Sequence, residues 1–161
     1  MSVSTKLREF LVGHHVSFEH HVHPTAYTGQ EIASSMHLSG RDIAKTVVIE
    51  ADGALLLAVV PADQRVDLVH LKFVTRAANI RIAGEKEFAE AFPTCEPGAV
   101  PPFGNLFGLT TYCDTLLEQD DSIEFNAGSH TDTIQMAYDD FKQLARPTMI
   151  DLVEHHRRSV A

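Results

Sequence analysis

Three short stretches of this chain carry groups that could do chemistry. Lys45 enters "AKTVVIE", a β-rich apolar run. A lysine there must reach an edge, pair with an acid or face a cavity. Spacing alone favours the edge, where the stem lies on apolar surface and the ammonium snorkels out. In a cavity the same ammonium would hold a phosphate or carbonyl oxygen, or work with a lowered pKa. The second stretch is "AGSHTD", where Gly128 allows a sharp turn that presents Ser129 and His130. No G-x-S-x-G elbow accompanies this Ser, and neighbours on a strand point to opposite faces, which disfavours a serine nucleophile with His130 as its base. A plain polar turn explains the residues equally well. The third stretch is "CEPGAVPPFGNLFG". Gly98, Ala99, Val100, Pro101 and Pro102 form its centre. Proline fixes φ and removes N–H donors, and glycine lets backbone approach a ligand. The stretch is either a rigid connector or a preorganised wall whose backbone groups grip a small polar group.

Other residue types point away from particular chemistries. The N-terminal third holds His14, His15, His20, His21, His23 and His37, with His21 and His23 on one face of an expected strand. There is no H-E-x-x-H and no accompanying Cys, so solvated or packed histidines are expected and no metal. Two cysteines, Cys95 and Cys113, make no disulfide framework, which suits a reducing cytoplasm. A net charge of −9 argues against long contacts with DNA. Thirteen Lys and Arg are present, and Arg41, Lys45, Arg65, Lys72, Arg76, Arg81 and Lys86 gather between positions 41 and 86. Scattered solvated charge is the plain reading of that run. No apolar run reaches the roughly 18 residues of a membrane helix, and no signal pattern opens the chain.

The elements that must position these groups follow from periodicity. Val3, Leu7, Phe10 and Leu11 predict a helix over 3–13. Residues 16–23 predict a strand, and Thr28 with Glu31 a capped helix. Runs 45–50 and 55–60 flank Asp52-Gly53, which predicts a tight hairpin, its second run apolar on both faces and so central in a sheet. A helix over 66–76, a strand over 79–83 and a helix over 85–92 precede the proline-rich loop. Strands over 109–114, 122–128 and 131–137 and a helix over 138–145 follow it. The expected fold is one α+β, or mixed α/β, domain over residues 1–161, built around one sheet.

In this order and spacing, "AKTVVIEADGALLLAVVPADQRVDL", "EPGAVPPFG" and "FNAGSHTDTIQM" resemble the YbaK/prolyl-tRNA-synthetase-associated family of aminoacyl-tRNA deacylases. The likeness covers nearly the whole chain. Lys45 matches the family's lysine, Gly98 to Pro102 its G-x-x-x-P loop, and Gly128-Ser129-His130 its Gly-x-His turn. The resemblance implies a mixed sheet with a pocket at one end, and a cytoplasmic trans-editing hydrolase that needs no metal or other cofactor. It would cleave the ester between a wrong small amino acid (Ala, Ser, Thr or Cys) and the tRNA 3′ end. It implies that Lys45 holds the terminal adenosine's phosphate or the substrate carbonyl. Backbone groups of Gly98, Ala99, Val100, Pro101 and Pro102 would grip the ester or the α-amino group. His130 would border the pocket beside Gly128 and Ser129. Arg41, Arg65, Lys72 and Arg76 are the expected tRNA contacts, and a synthetase is a further expected partner. Neither DNA nor a membrane is expected. A noncatalytic module that binds aminoacyl-tRNA or a synthetase is the alternative.

Overall fold

The computed structural model describes residues 3–22 and 43–155. Arg41, His23, His37 and the helix expected from Thr28 lie outside the described residues. The elements run α1 (Val3–Gly13), β1 (Phe18–Val22), β2 (Ile43–Ala51), β3 (Ala54–Pro61), α2 (Leu68–Thr75), β4 (Ile80–Ile82) and α3 (Glu85–Ala91). A short 3-10 turn (Gly104–Leu106) leads into β5 (Thr111–Asp114). A second (Thr115–Gln119) is followed by β6 (Ser122–Asn126), β7 (Asp132–Ala137), α4 (Tyr138–Ala145) and β8 (Thr148–Ile150). The fold is mixed α/β, as expected.

The sheet has eight strands in the order β1-β7-β6-β2-β3-β5-β8, with β4 paired to β2 off that path. The β2–β3 hairpin lies at its centre. Asp52 and Gly53 both take positive φ, 50° and 84°, the geometry of a two-residue primed turn. The Asp52 carboxylate also accepts the Ala78 and Asn79 amides at 2.9 and 2.8 Å, so the turn holds the chain entering β4. These two bonds keep the Asp52 carboxyl below its ordinary range.

β2 meets two partners on the edge away from β3. Its start pairs in parallel with β6, Ile43 opposite Glu124 and Ala44 opposite Phe125. Its end pairs antiparallel with β4 through Ile49, Glu50 and Ala51. Between these seams β2 and β6 separate, and Lys45 and Thr46 sit where they part. This fork positions the site.

The alternation of β2 and β3 sorts the core. Ala44 and Val59 face a cluster with Phe103, Phe125, Phe141 and α1 residues Leu7 and Leu11. Val48 and Leu57 pack with Phe88, Phe92 and Val100. On the opposite face Ile49, Ala58 and Val60 pack against Leu71 of α2. Asp67 caps α2 by accepting the His70 amide at 3.0 Å. The sequence reading did not foresee β8. It is held by pairing with β5 and followed by Leu152, whose amide donates to the fully buried Asp114 at 2.8 Å.

Candidate active site at the fork of β2 and β6

The proline-rich loop packs on the sheet face of Ala44 and Val48. Gly128, just past the end of β6, takes a φ of 101° that favours glycine. Its amide donates to the Ala99 carbonyl and its carbonyl accepts from the Glu96 amide, both at 2.9 Å. The loop is therefore stitched to the chain just past β6. It tightens internally where the Ala99 amide donates to the Glu96 carbonyl at 3.0 Å. Ala99, Val100, Pro101, Pro102 and Phe103 are all buried. Phe103 packs edge-on to Phe125 and Phe141, at 5.6 and 5.5 Å between ring centres. Phe107 packs edge-on to Phe92 at 4.8 Å. Gly104 closes the loop because a Cβ there would collide with Thr111 Oγ1 and the Leu109 carbonyl. The stretch is a stiff wall anchored from behind, with Gly98 exposed at its lip.

His130 holds that lip. Its ring is 6% exposed and Nε2 lies 2.6 Å from the Pro97 carbonyl. A carbonyl only accepts, so Nε2 carries the hydrogen. The His130 amide donates to Glu96 Oε2 at 3.0 Å. A Cβ built on Gly98 would lie 3.6 Å from His130 Cε1, so imidazole and glycine are in van der Waals range. His130 is thus a buried strut rather than a residue of a solvated turn. Ser129, in the bend between β6 and β7, has a different partner. Its hydroxyl donates to Asp132 Oδ2 at 2.5 Å, and His20 Nε2 lies 2.6 Å from the other oxygen of that carboxylate. Burial raises the Asp132 pKa, but the bonds from Ser129 and His20 outweigh it and hold the carboxyl low.

The loop also keeps polar backbone in reserve. Among the described residues, the Gly98 and Val100 amides have no backbone partner. Pro97, Pro101 and Pro102 have no N–H to offer. Two amide donors and a glycine-lined approach suit an oxygen that gains negative charge.

Lys45 stands at the fork, half-buried. Burial lowers its pKa first, and the nearby Arg65 cation lowers it further, against the opposing pull of Asp63. No described acid lies within ion-pair range of its ammonium. A desolvated cation without a close counterion is a ready partner for an anion. No contact joins Lys45 to the Gly98 lip directly; the β2–β6 seam brings both to the same end of the sheet. Of the expected tRNA contacts, Arg65 is exposed beside Lys45, and Lys72 and Arg76 are exposed on and just after α2.

Sequence reasoning passed over the polar groups on β6. Glu124 is 2% exposed; its Oε2 accepts from Thr133 Oγ1 at 2.7 Å and meets His21 Nδ1 at 2.9 Å. That hydrogen bond outweighs burial and raises the His21 pKa. Glu124 Oε1, Asn126 Oδ1 and Thr46 Oγ1 are buried without a hydrogen-bond partner among the described residues. Glu124 and Asn126 stand on the sheet face of Lys45, as strand alternation and the seam's register require. The signal was present in "IEFNAG": polar residues at every second position of a strand whose alternate residues are core. Burial pushes the thiol of Cys95, at the start of the loop, up to about 12, which disfavours the reactive thiolate. Among the described residues no three His, Cys, Asp or Glu converge as metal ligands, and no helix is long and apolar enough to cross a membrane.

Known proteins are similar to this chain in sequence or in fold. Over 97 residues the chain is 32% identical to the multifunctional Ser/Thr-tRNA deacylase ProXp-y of Escherichia coli (strain K12), a match covering 60% of the chain and 58% of that protein. Over 81 residues it is 35% identical to proline–tRNA ligase of Bacillus licheniformis, covering 50% of the chain and 14% of the ligase. The chain thus matches less than two thirds of either relative's length. The fold superposes on a candidate trans-editing enzyme for prolyl tRNA synthetase with a TM-score of 0.83 at 20% identity, over 96% of this chain and 99% of that one. It superposes on hypothetical protein APE2540 with a TM-score of 0.84 at 18% identity, over 92% and 99%. The family model "Aminoacyl-tRNA editing domain" matches residues 23–144. With most of its length under that match, including Lys45, the 98–102 loop and His130, the chain belongs to the aminoacyl-tRNA editing domain family.

Proposed function

We propose that this chain hydrolyses the ester joining a wrongly attached amino acid to the 3′ end of tRNA. The observation that carries this reading is the wall at 98–102. It is pinned from one side by Gly128 and at its lip by His130, and the Gly98 and Val100 amides have no backbone partner among the described residues. The reaction needs little more. Water adds to the ester carbonyl carbon, and the carbonyl oxygen becomes an oxyanion. The bond to the ribose oxygen then breaks, that oxygen keeps a proton derived from the water, and amino acid and tRNA separate. An aminoacyl ester is already activated, so orientation and oxyanion stabilisation suffice without a covalent nucleophile.

In this scheme the Gly98 and Val100 amides and the Lys45 ammonium receive the negative charge, on the oxyanion or on the terminal adenosine's phosphate. His130 is a positioning residue that fixes the Pro97 carbonyl and, through it, the Gly98 lip. Ala99, Val100, Pro101 and Pro102 give the site an apolar, stiff lining suited to a small amino acid: Ala, Ser, Thr or Cys. The ProXp-y relative, named for Ser and Thr, supports that size class. Residues 1–161 act as one editing domain on this reading, in the cytoplasm, with aminoacyl-tRNA as substrate and prolyl-tRNA synthetase as the related partner.

The test is a panel of tRNAs mischarged with Ala, Ser, Thr and Cys. Wild-type protein should release at least one of these amino acids, and Lys45→Ala should not. Absence of cleavage across the whole panel overturns the hydrolase. Tight aminoacyl-tRNA binding without turnover, unaffected by Lys45→Ala, would instead make the chain a binding module.

A further inference from the structure

The described surface carries an unusual exposed face on α2. Val69 and Phe73, one helical turn apart, are 82% and 80% exposed, while Leu71 on the opposite side is fully buried in the core. Lys72 and Arg76 flank Phe73 and are exposed too. Val69, Lys72, Phe73 and Arg76 line a shallow cleft of about 670 Å³. An aromatic side chain left in water at that level, beside two cations, is not needed for packing and marks a contact surface.

The charges around it favour one occupant. The whole chain carries −9, yet residues 65–81 hold Arg65, Lys72, Arg76 and Arg81 against Asp67 alone. Arg81 is already held by Glu50 and Glu87. Lys72 and Arg76 have no described acid within ion-pair range. Two carboxylates near α2 are bonded to backbone: Asp67 accepts the His70 amide, and Asp52, which Lys72 attracts at longer range, accepts the Ala78 and Asn79 amides. α2 also packs on the Lys45 face of the sheet, and Arg65, next to Lys45, lies just before the helix. Cations therefore stand beside the proposed catalytic lysine, at Arg65 next to Asp63, and on the α2 face, at Lys72 and Arg76.

We propose that the α2 face is an RNA-docking surface on which Phe73 stacks an unpaired base and Lys72 and Arg76 hold adjacent phosphates. Aromatic platforms flanked by cations take single-stranded RNA because every base has a π-face and every linkage a negative charge. The inference rests on the tRNA reading of the site above and gives it a second anchoring point, away from the ester. Val69 widens the apolar platform. The surface contributes affinity for the tRNA body or its 3′ strand and nothing to the bond-breaking step.

Fluorescence anisotropy with uncharged tRNA tests it directly, alongside kcat/KM on mischarged tRNA and on a 3′-aminoacyl-adenosine fragment. Phe73→Ala should weaken tRNA binding about tenfold, the loss of one stacked base, and Phe73→Trp should restore it. Lys72→Ala/Arg76→Ala should reduce the slope of log affinity against log salt by about 1.4, two single-strand phosphates. On mischarged tRNA, KM should rise and kcat hold, while cleavage of the fragment stays as in wild type. Wild-type tRNA affinity for Phe73→Ala overturns the proposal, as does an equal loss on tRNA and fragment. Intact RNA binding with lost binding to prolyl-tRNA synthetase also overturns it and makes the face a protein interface. If wild type cleaves no mischarged tRNA but Phe73→Ala still loses tRNA affinity, the hydrolase reading fails and the docking surface stands.

Discussion

The fork of β2 and β6 and the outer face of α2 use positive charge in opposite ways. At the fork one cation, Lys45, is half-buried and depressed in pKa by burial and by Arg65. The loop proposed to share its site is rigid: prolines without N–H groups, a glycine at positive φ, and a histidine whose ring braces a carbonyl. On α2 the cations are solvated and the aromatic is bare. Desolvation makes a charge strong and its geometry exacting, which suits chemistry on one bond. Solvated charge is screened and tolerant of position, which suits holding a long polyanion. The contrast separates residues that should change the rate from residues that should change affinity.

The sharpest way to break that contrast is Lys45→Met. We expect kcat/KM to fall roughly 100- to 1,000-fold, the range for removing one preorganised charge-stabilising donor. Thermal stability should hold or rise near neutral pH. Burial lowers the folded pKa of Lys45, so its charged form is disfavoured by folding at pH values below that pKa, and methionine removes the penalty. A loss of activity accompanied by a lower Tm would make Lys45 structural. Gly98→Ala should come next. The φ of 81° puts alanine in a region that costs on the order of 1–3 kcal/mol. If that strain moves the lip by even a few tenths of an ångström, kcat falls about tenfold with KM little changed. Unchanged kcat in a folded variant would remove the lip from the mechanism.

Much of this was legible in the sequence. Asp52-Gly53 specified the central hairpin because a primed turn needs positive φ at both positions. The helix expected over 66–76 forms as α2 (Leu68–Thr75), and the segment after the loop read correctly as strand, strand, strand and helix. The fork was not legible, since the partner of a strand edge is a long-range choice that local pattern does not encode. For the same reason His130 read equally well as a polar turn, because its burial depends on Pro97, far away in the chain. β8 escaped notice because three residues at an edge carry too little periodicity.

His21 gives the smallest effect and sharpens the comparison from a third place. Its hydrogen bond to Glu124 raises its pKa above the ordinary 6.5. A raised histidine contributes stability that is fully present below pH 6.5 and lost as pH rises through the folded-state value. Tm should therefore fall between about pH 6 and pH 8 in wild type, with part of that fall absent in His21→Asn. Identical pH profiles for the two proteins would show that the pair contributes nothing. Activity normalised to folded protein should not change, because His21 holds the sheet and not the lip.

The parallel seam between β2 and β6 has a consequence for how the molecule is made. It consists of two residue pairs, Ile43 with Glu124 and Ala44 with Phe125, joining distant parts of the chain. The β2–β3 hairpin closes over a two-residue turn and can form early. The seam must wait for a long loop closure, and few contacts reward it when it forms. We expect it to close late and to open early in native-state fluctuations. Hydrogen exchange should find those amides of Ile43, Ala44, Glu124 and Phe125 that bridge the two strands opening well below the free energy of global unfolding. A substitution that loosens the seam should yield protein that is folded by most measures and inactive.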